Sequence, residues 1–225
     1  MKTTIILPTL RLANALDCIN AVKANTYTPY ELLIITSEEI ARVFPTNIVP
    51  DLKIIIDDKC IGTTYPINLG LKQSTGDYIV TLSDDARVCP HWLDHMLNFL
   101  EKQPKDQIIL GNFRVFQESH EMAAIGYFGL EFAMFPILSR ENLNKIGIYY
   151  SEDFFAFYSD PFLGITVAEK GGKVLTCPTA FIYHPPNSDT IHNGNQSRFW
   201  RHDEDMFIKK CSHLGPFRGC EIIQK

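Results

Sequence analysis

Two adjacent carboxylates, Asp84 and Asp85, have the residue type and spacing that could do chemistry. They follow the apolar run 78–82, whose β-forming residues predict a buried strand. In an open α/β sheet, ligands bind in the crevice outside the carboxyl ends of the strands. Two neighbouring carboxylates cannot both stay ionised in a dry site without a cation, so the pair indicates either open water or a bound divalent metal. A solvated turn is the alternative, because aspartate side chains bond the backbone of turns.

Alternating strands and helices must position this pair. Apolar runs predict further strands at residues 3–7, 31–36, 53–56, 108–116 and 173–184. Helical spacing and capping residues predict helices at 12–23, after Gly62, at 90–103, 139–147 and 153–170. The alternation predicts an α/β fold with a mostly parallel central sheet flanked by helices.

Composition narrows the classes of function. The formal charge of -5 and the lack of a long basic run argue against nucleic-acid binding by charge alone. No GxGxxG follows the first strand and no GxxxxGK[ST] occurs, which disfavours nicotinamide and P-loop enzymes. The opening apolar run ends at Pro8 and the run 125–138 is too short to cross a bilayer, so we predict no transmembrane segment and a cytoplasmic protein, at most peripheral to a membrane.

Five motifs in order resemble the family-2 glycosyltransferases of the GT-A fold. They are IILPTL at the first strand, then GTTYPINLGLKQSTGDYIVTLSDDARVCPHWL, SRENLNKIG, the Ser159-Asp160 pair and GGKVLTCPTAFIYH. The resemblance covers about residues 3–184. It implies one GT-A domain over 1–184, with a nucleotide-sugar half at about 1–110 and an acceptor half at about 111–184.

The resemblance implies transfer of a sugar from a nucleoside-diphosphate donor to a hydroxyl of a glycan, lipid-linked or protein acceptor, with inversion and Mn²⁺ or Mg²⁺. By position, Asp85 would bind the metal and Asp84 would lie against the ribose. His184 would complete the metal site, and His192 is the alternative. Asp160 would be the general base, since the displacement requires a carboxylate that takes the proton of the acceptor.

The resemblance also implies donor-binding positions. The nucleotide loop would contain Pro8, Thr9 and Arg11, and Asn68 would lie on a helix that closes over the donor. The family's second strand usually ends in an aspartate that holds the base. Here it ends in TSE, so either Glu38 or Asp57, at the end of the next strand, would hold the base. The sequence does not identify which nucleotide is bound.

Two departures keep a second class of function open. The metal motif is Ser83-Asp84-Asp85, and the catalytic pair is Ser159-Asp160 followed by proline, so each has lost a carboxylate. A catalytically inactive GT-A domain that binds a sugar nucleotide or glycan, or acts as a scaffold, is therefore the alternative. If Asp160 instead caps a helix, Asp153 or Glu152 is the next candidate base.

The tail, residues 185–225, has no counterpart in the resemblance. The stretch NSDTIHNGNQ at 187–196 is turn-rich and predicts a mobile loop over the donor. Aromatic and basic residues around Trp200 predict an amphipathic helix. We expect the helix to pack on the domain, with a peripheral membrane contact as the alternative.

Overall fold

The computed structural model describes residues 1–118, 120–186 and 189–223. The strands are β1 (Thr3–Pro8), β2 (Tyr30–Thr36), β3 (Leu52–Ile56), β4 (Tyr78–Thr81), β5 (Arg87–Val88), β6 (Ile109–Gln117), β7 (His120–Glu121), β8 (Ile125–Tyr127), β9 (Leu130–Glu131), β10 (Ile137–Ser139), β11 (Lys173–Tyr183) and β12 (Glu221–Ile222). The helices are α1 (Leu12–Asn25), α2 (Glu38–Val43), α3 (Thr64–Gln73), α4 (Trp92–Glu101), α5 (Arg140–Ile146), α6 (Ser159–Glu169) and α7 (Thr190–Lys210).

The central sheet has nine strands in the order β3-β2-β1-β4-β10-β6-β11-β5, and β7 pairs with β6. The pairs β3–β2, β2–β1, β1–β4 and β6–β11 are parallel. Strand β10 runs antiparallel to both β4 and β6, so the six long strands point the same way. The predicted α/β fold with a mostly parallel sheet is confirmed.

Both faces of the sheet are covered, as the continuous apolar runs of the strands require. In β1, Ile5 and Leu7 belong to the core beneath α1 and α4, whereas Ile6 belongs to the core beneath α3, α5 and α6. Helix α3 approaches the sheet closely at Gly70, where a Cβ atom would lie 2.8 Å from the side chains of Ile6 and Ile35. This contact fixes α3 against the strands that end at the site.

Two predicted elements differ from the structure. The helix expected over 153–170 begins only at Ser159, with Pro161 in its first turn, where a missing backbone N–H is tolerated. Helix α7 replaces most of the loop expected at 187–196, because Asp189 caps it by accepting from the backbone N–H groups of Ile191 and His192. Residues 187 and 188 of that stretch lie outside the described residues.

The last part of the chain packs on the domain through aromatic side chains. A second sheet joins β12, β8 and β9. Beside it, Phe207 of α7 is fully buried and contacts the rings of Tyr127 and Tyr158. Within residues 1–118, 120–186 and 189–223, none of the helices combines the length and apolar character that crossing a membrane requires.

Candidate functional site

The carboxyl ends of β1 and β4 meet at the centre of the sheet. The two strands are parallel neighbours, with Ile6 opposite Thr81, so the residues that follow each strand emerge side by side. Strand β2 lies on the other side of β1, and the chain order therefore reverses at this point. Such switch points form the crevices in which open α/β sheets bind ligands. Thr9, Arg11 and the two aspartates project there.

Asp84 is buried and held from the loop after β1. Its Oδ2 accepts a hydrogen bond from Thr9 Oγ1 at 2.6 Å and one from Arg11 Nε at 3.0 Å, and the Arg11 guanidinium also donates to Oδ1. Burial raises the pKa of Asp84, and these bonds only partly offset it. The β1 loop thus binds the end of β4 across 75 residues of sequence.

Asp85 lies next to an imidazole. His184 follows β11, and its Nε2 is 3.2 Å from Asp85 Oδ1, while the Arg11 guanidinium is 3.3 Å from Oδ2. Burial opposes ionisation of Asp85, but the charged or polar contacts with His184 and Arg11 outweigh it, so the pKa of Asp85 is lowered. The arrangement keeps this carboxylate ionised.

These residues surround an open cleft of about 520 Å³. Its walls come from the ends of β1, β4 and β11, the segment before α3 and the start of α7. The lining residues are Pro8, Thr9, Leu10, Arg11, Ile35, Asp57, Cys60, Gly62, Thr63, Pro66, Ser83, Asp84, Asp85, Gln117, His184, Pro186, Ile191, His192 and Asn195. A cleft of this size matches the usual volume of small-ligand sites.

Three expected donor-binding residues have different surroundings. Asp57 lines the cleft, and its Oδ1 accepts from the backbone N–H groups of Lys59 and Cys60. Glu38 is exposed at the start of α2, where it pairs with Arg42, and it does not line the cleft. Asn68 is buried and donates to the Tyr150 carbonyl at 2.8 Å, so its amide ties α3 to the loop after α5.

Asp160 lies in a second cavity of about 170 Å³ that adjoins the cleft, and Pro8, Thr63 and Ser83 line both. It occupies the first turn of α6, and the residue at the cap position is Tyr158. Burial raises the pKa of Asp160 to about 7.

The two other candidate bases lie elsewhere. Asp153 is exposed and pairs with Lys210, and the exposed Glu152 lies 3.9 Å from Lys72. Neither lines the cleft or the cavity of Asp160. Of the three carboxylates considered, the geometry therefore favours Asp160 as a group that could meet a ligand.

Helix α7 adds a residue that the sequence did not indicate. Asp189 caps α7 and forms an ion pair with Arg11, while His192 and Asn195 of the same helix line the cleft. An aspartate before a helical segment is a recognised capping signal, but the turn-forming residues around it obscured that signal. No group of three or more His, Cys, Asp or Glu side chains suited to a metal occurs among the residues that the structure describes.

Two curated relatives are similar over part of the chain. One is the glucosyl-dolichyl phosphate glucuronosyltransferase of Haloferax volcanii, 28% identical in an alignment of 118 positions that covers 49% of this chain and 37% of the relative. The other is glycosyltransferase AglE of the same organism, 27% identical in an alignment of 161 positions that covers 67% of this chain and 52% of the relative. The chain thus spans about a third to a half of the length of these relatives.

Solved structures with low sequence identity share the fold. GalNAc-T7, solved with UDP, GalNAc and Mn²⁺, superposes with a TM-score of 0.68 at 14% identity over 96% of this chain and 52% of its own. The mannosyltransferase PcManGT of Pyrobaculum calidifontis, solved with GDP-Man and Mn²⁺, superposes with a TM-score of 0.68 at 16% identity, over 96% of this chain and 65% of its own. Residues 1–349 of S. aureus TarS, solved with UDP-GlcNAc, superpose with a TM-score of 0.65 at 15% identity, over 84% of this chain and 60% of that fragment. These matches confirm the GT-A fold.

The model of glycosyl transferase family 2 matches residues 4–163, which include all but the first residue of β1, the whole of β4, and Asp84, Asp85 and Asp160. The match covers more than half of the chain, and this protein belongs to glycosyl transferase family 2.

Proposed function

We propose that this chain transfers a sugar from a nucleoside-diphosphate sugar to an acceptor hydroxyl, with inversion at the anomeric carbon. The observation that carries the proposal is the pairing of two adjoining cavities, one with Arg11, Asp84, Asp85 and His184, the other with Asp160. Both relatives from Haloferax volcanii are named as glycosyltransferases, and the three structures above were solved with UDP, UDP-GlcNAc or GDP-Man. They support a nucleoside-diphosphate donor as the ligand class.

The donor atoms at Asp85 and His184 fit a divalent metal. Two neighbouring ligands of an octahedral ion with bonds of about 2.1 Å lie about 3 Å apart, and Asp85 Oδ1 and His184 Nε2 are separated by 3.2 Å. Carboxylate oxygen and imidazole nitrogen suit Mn²⁺, and Mg²⁺ is commonly held by one or two carboxylates together with phosphate oxygens. A bound metal would neutralise charge on the leaving diphosphate.

Arg11 and Asp84 are proposed to orient the donor. Arg11 is the cation that faces both carboxylates, and its planar guanidinium suits bidentate contact with phosphate oxygens. Asp84 has carboxylate oxygens that can accept hydrogen bonds from ribose hydroxyls. Because Thr9 and Arg11 hold Asp84 in place before any ligand arrives, little reorganisation accompanies binding.

Asp160 is proposed to act as the general base. The acceptor oxygen forms a bond to the anomeric carbon, the bond from that carbon to the diphosphate oxygen breaks, and Asp160 takes the hydroxyl proton while the diphosphate leaves with the electron pair. A base works best when its pKa lies near the working pH, and burial raises the pKa of Asp160 to about 7.

A sugar-nucleotide binding module without catalysis is the second candidate. One observation favours it: Arg11 already pairs with Asp84 and Asp85, so part of their negative charge is offset without a metal. Such a module would bind the donor but would not release nucleoside diphosphate from it.

The first experiment measures thermal stabilisation by a panel of nucleoside diphosphates and their sugars, each with and without Mn²⁺. A ligand that binds only the folded chain raises the unfolding midpoint by mass action. We expect one nucleotide to give a Mn²⁺-dependent shift in the wild type and in Asp106→Ala, an exposed control, and no such shift in Asp85→Ala. A shift that Asp85→Ala retains would contradict the metal assignment.

Release of nucleoside diphosphate from the stabilising sugar nucleotide then separates the two candidates. Turnover by the wild type and its loss in Asp160→Asn support a transferase. Tight binding without release, across acceptors that include glycans and lipid-linked sugars, favours the binding module.

A further inference from the structure

Helix α7 carries a fully buried carboxylate, Asp203. The exposed Arg201 and Asp205 lie on either side of it, whereas Phe199 and Phe207, four residues away in each direction, are buried with it. A buried charge is costly unless it is paired or hydrogen-bonded. The partners of Asp203 must therefore be fixed parts of the fold.

Those partners are three consecutive backbone amides. Asp203 accepts from the N–H of Phe155 at 3.0 Å, from that of Ala156 at 2.8 Å and from that of Phe157 at 2.9 Å. His202 Nδ1 lies 3.0 Å from the same carboxylate. Successive N–H groups that converge in this way form an anion-binding concavity, here occupied by a side chain of the protein itself.

The loop at residues 155–157 contacts Asp203 on one side and, on its other side, a wall of the cleft. The Phe155 carbonyl accepts from the backbone N–H groups of Thr63 and Thr64 at 2.8 and 3.0 Å. At Gly62, with φ of 62°, a Cβ atom would lie 2.0 Å from that carbonyl oxygen, so the approach requires glycine. Gly62 and Thr63 line the donor cleft. Phe155 therefore links Asp203 to the cleft, because its amide donates to Asp203 and its carbonyl accepts from Thr63.

The same loop leads into the helix of the proposed base. Tyr158 adopts a left-handed conformation with φ of 61°, and α6 begins at the next residue. Ser159 Oγ lies 2.7 Å from Thr64 Oγ1, and Asp160 follows directly. Two further contacts from α7, Glu204 with Tyr158 and Lys210 with Asp153, hold the loop on either side of the three amides.

We propose that Asp203 is a positioning residue for sugar transfer: it holds the backbone at 155–157 so that the cleft wall and the start of α6 keep a fixed separation. The inference rests on the proposed function. The family match ends at residue 163, so Asp203 is supplied by a part of this chain beyond it.

The test is Asp203→Asn, which keeps the size of the side chain but turns an NH₂ group toward the amides. We expect at least a tenfold fall in kcat for nucleoside-diphosphate release, since small displacements of a reacting group cost up to about a hundredfold. The Kd of the nucleoside diphosphate with Mn²⁺ should stay within threefold of the wild-type value, because Arg11, Asp85 and His184 lie on other elements. Hydrogen exchange should rise at 155–157 while β1 and β4 stay protected.

Asp205→Asn is the matched control, because this exposed carboxylate lies two residues away on the same helix. It should leave kcat and exchange unchanged. If Asp203→Asn does not fold, Asp203→Ser takes its place, since the hydroxyl still accepts and leaves room for water at the amides.

These outcomes distinguish the proposed sugar transfer from the positioning role of Asp203. A wild type that releases no nucleoside diphosphate overturns the proposed function and this inference with it. An active wild type with Asp203→Asn within threefold of its kcat overturns the inference alone. A fall in kcat accompanied by faster exchange throughout the sheet shows a merely structural role and also overturns it.

Discussion

Replacing Asp160 by asparagine tests the proposed base directly. Burial raises the pKa of this carboxyl to about 7, so about a tenth of it is ionised at pH 6 and about nine tenths at pH 8. Turnover of the wild type should therefore rise about tenfold across that interval. An ordinary aspartate, with a pKa of 3.8, would give no rise there. Asp160→Asn should lose about 10²- to 10⁴-fold in kcat, the usual contribution of general-base catalysis.

The same substitution should stabilise the fold at alkaline pH. Since the pKa of Asp160 is raised from 3.8 to about 7, the folded chain retains a proton that the unfolded chain releases between these values. The free energy of unfolding of the wild type therefore falls as the pH rises through that window, by about 4 kcal/mol at most. Asparagine stays neutral, so the midpoint of the variant should exceed that of the wild type by several degrees at pH 8, with a smaller gap at pH 5.

Turnover from pH 5.5 to 8.5 and thermal unfolding at pH 5 and 8 measure both effects on the same preparations. Asp106→Asn is the control, because that carboxylate is exposed and outside both cavities. If Asp160→Asn keeps the rise between pH 6 and 8, or stays within threefold of wild-type turnover, the base assignment is wrong. An inactive variant that is less stable than the wild type at pH 8 would refute the burial argument instead.

Three further substitutions probe the surroundings of the site. Arg11→Gln should weaken Mn²⁺-dependent binding of nucleoside diphosphate at least tenfold in calorimetry, whereas Arg42→Gln, an exposed arginine, should not. Glu31→Gln should lower the free energy of unfolding in urea by about 1–3 kcal/mol, because the buried carboxylate accepts hydrogen bonds from Thr4 and Thr75 and pairs with two partly exposed lysines. Its pKa is lowered to about 2, so the loss should shrink as the pH falls from 4.5 toward 2. Gly62→Ala should lower the melting temperature more than Gly171→Ala, since both positions have positive φ but only the first added Cβ meets a backbone carbonyl.

The six parallel strands of the central sheet could be predicted because they are short apolar runs that end in turn-forming residues, whereas β5, β7 and β10, of two or three residues each, could not. The pair Asp84-Asp85 follows such a strand, so its place at the carboxyl edge of the sheet followed from residue order alone. Helical periodicity was less informative for Asn68. The pattern placed it on α3, but its amide turns to the Tyr150 carbonyl, a partner 82 residues away that no local pattern reveals.

The contacts of the tail could not be predicted for a related reason. The sequence 201–205, RHDED, contains three acids, and the sequence signal that separates the buried Asp203 from the exposed Asp205 is only its spacing of four residues from Phe199 and Phe207. What distinguishes them is the set of amides at 155–157, about 46–48 residues earlier. The pairing of Asp189 with Arg11 spans 178 residues. Such partners depend on how α7 docks, which local propensity does not determine.

The site depends on helix α7, which lies beyond residue 163, as well as on the residues that match the family. Its first residues contact Arg11 through Asp189, and its middle contacts the loop before α6 through Asp203. The donor cleft and the cavity of Asp160 therefore share one support. The two ends of this support act on different parts of the site. A substitution at Asp189 should alter donor binding through Arg11, and one at Asp203 should alter turnover through the start of α6. A substitution in α4, which lines neither cavity, should alter neither.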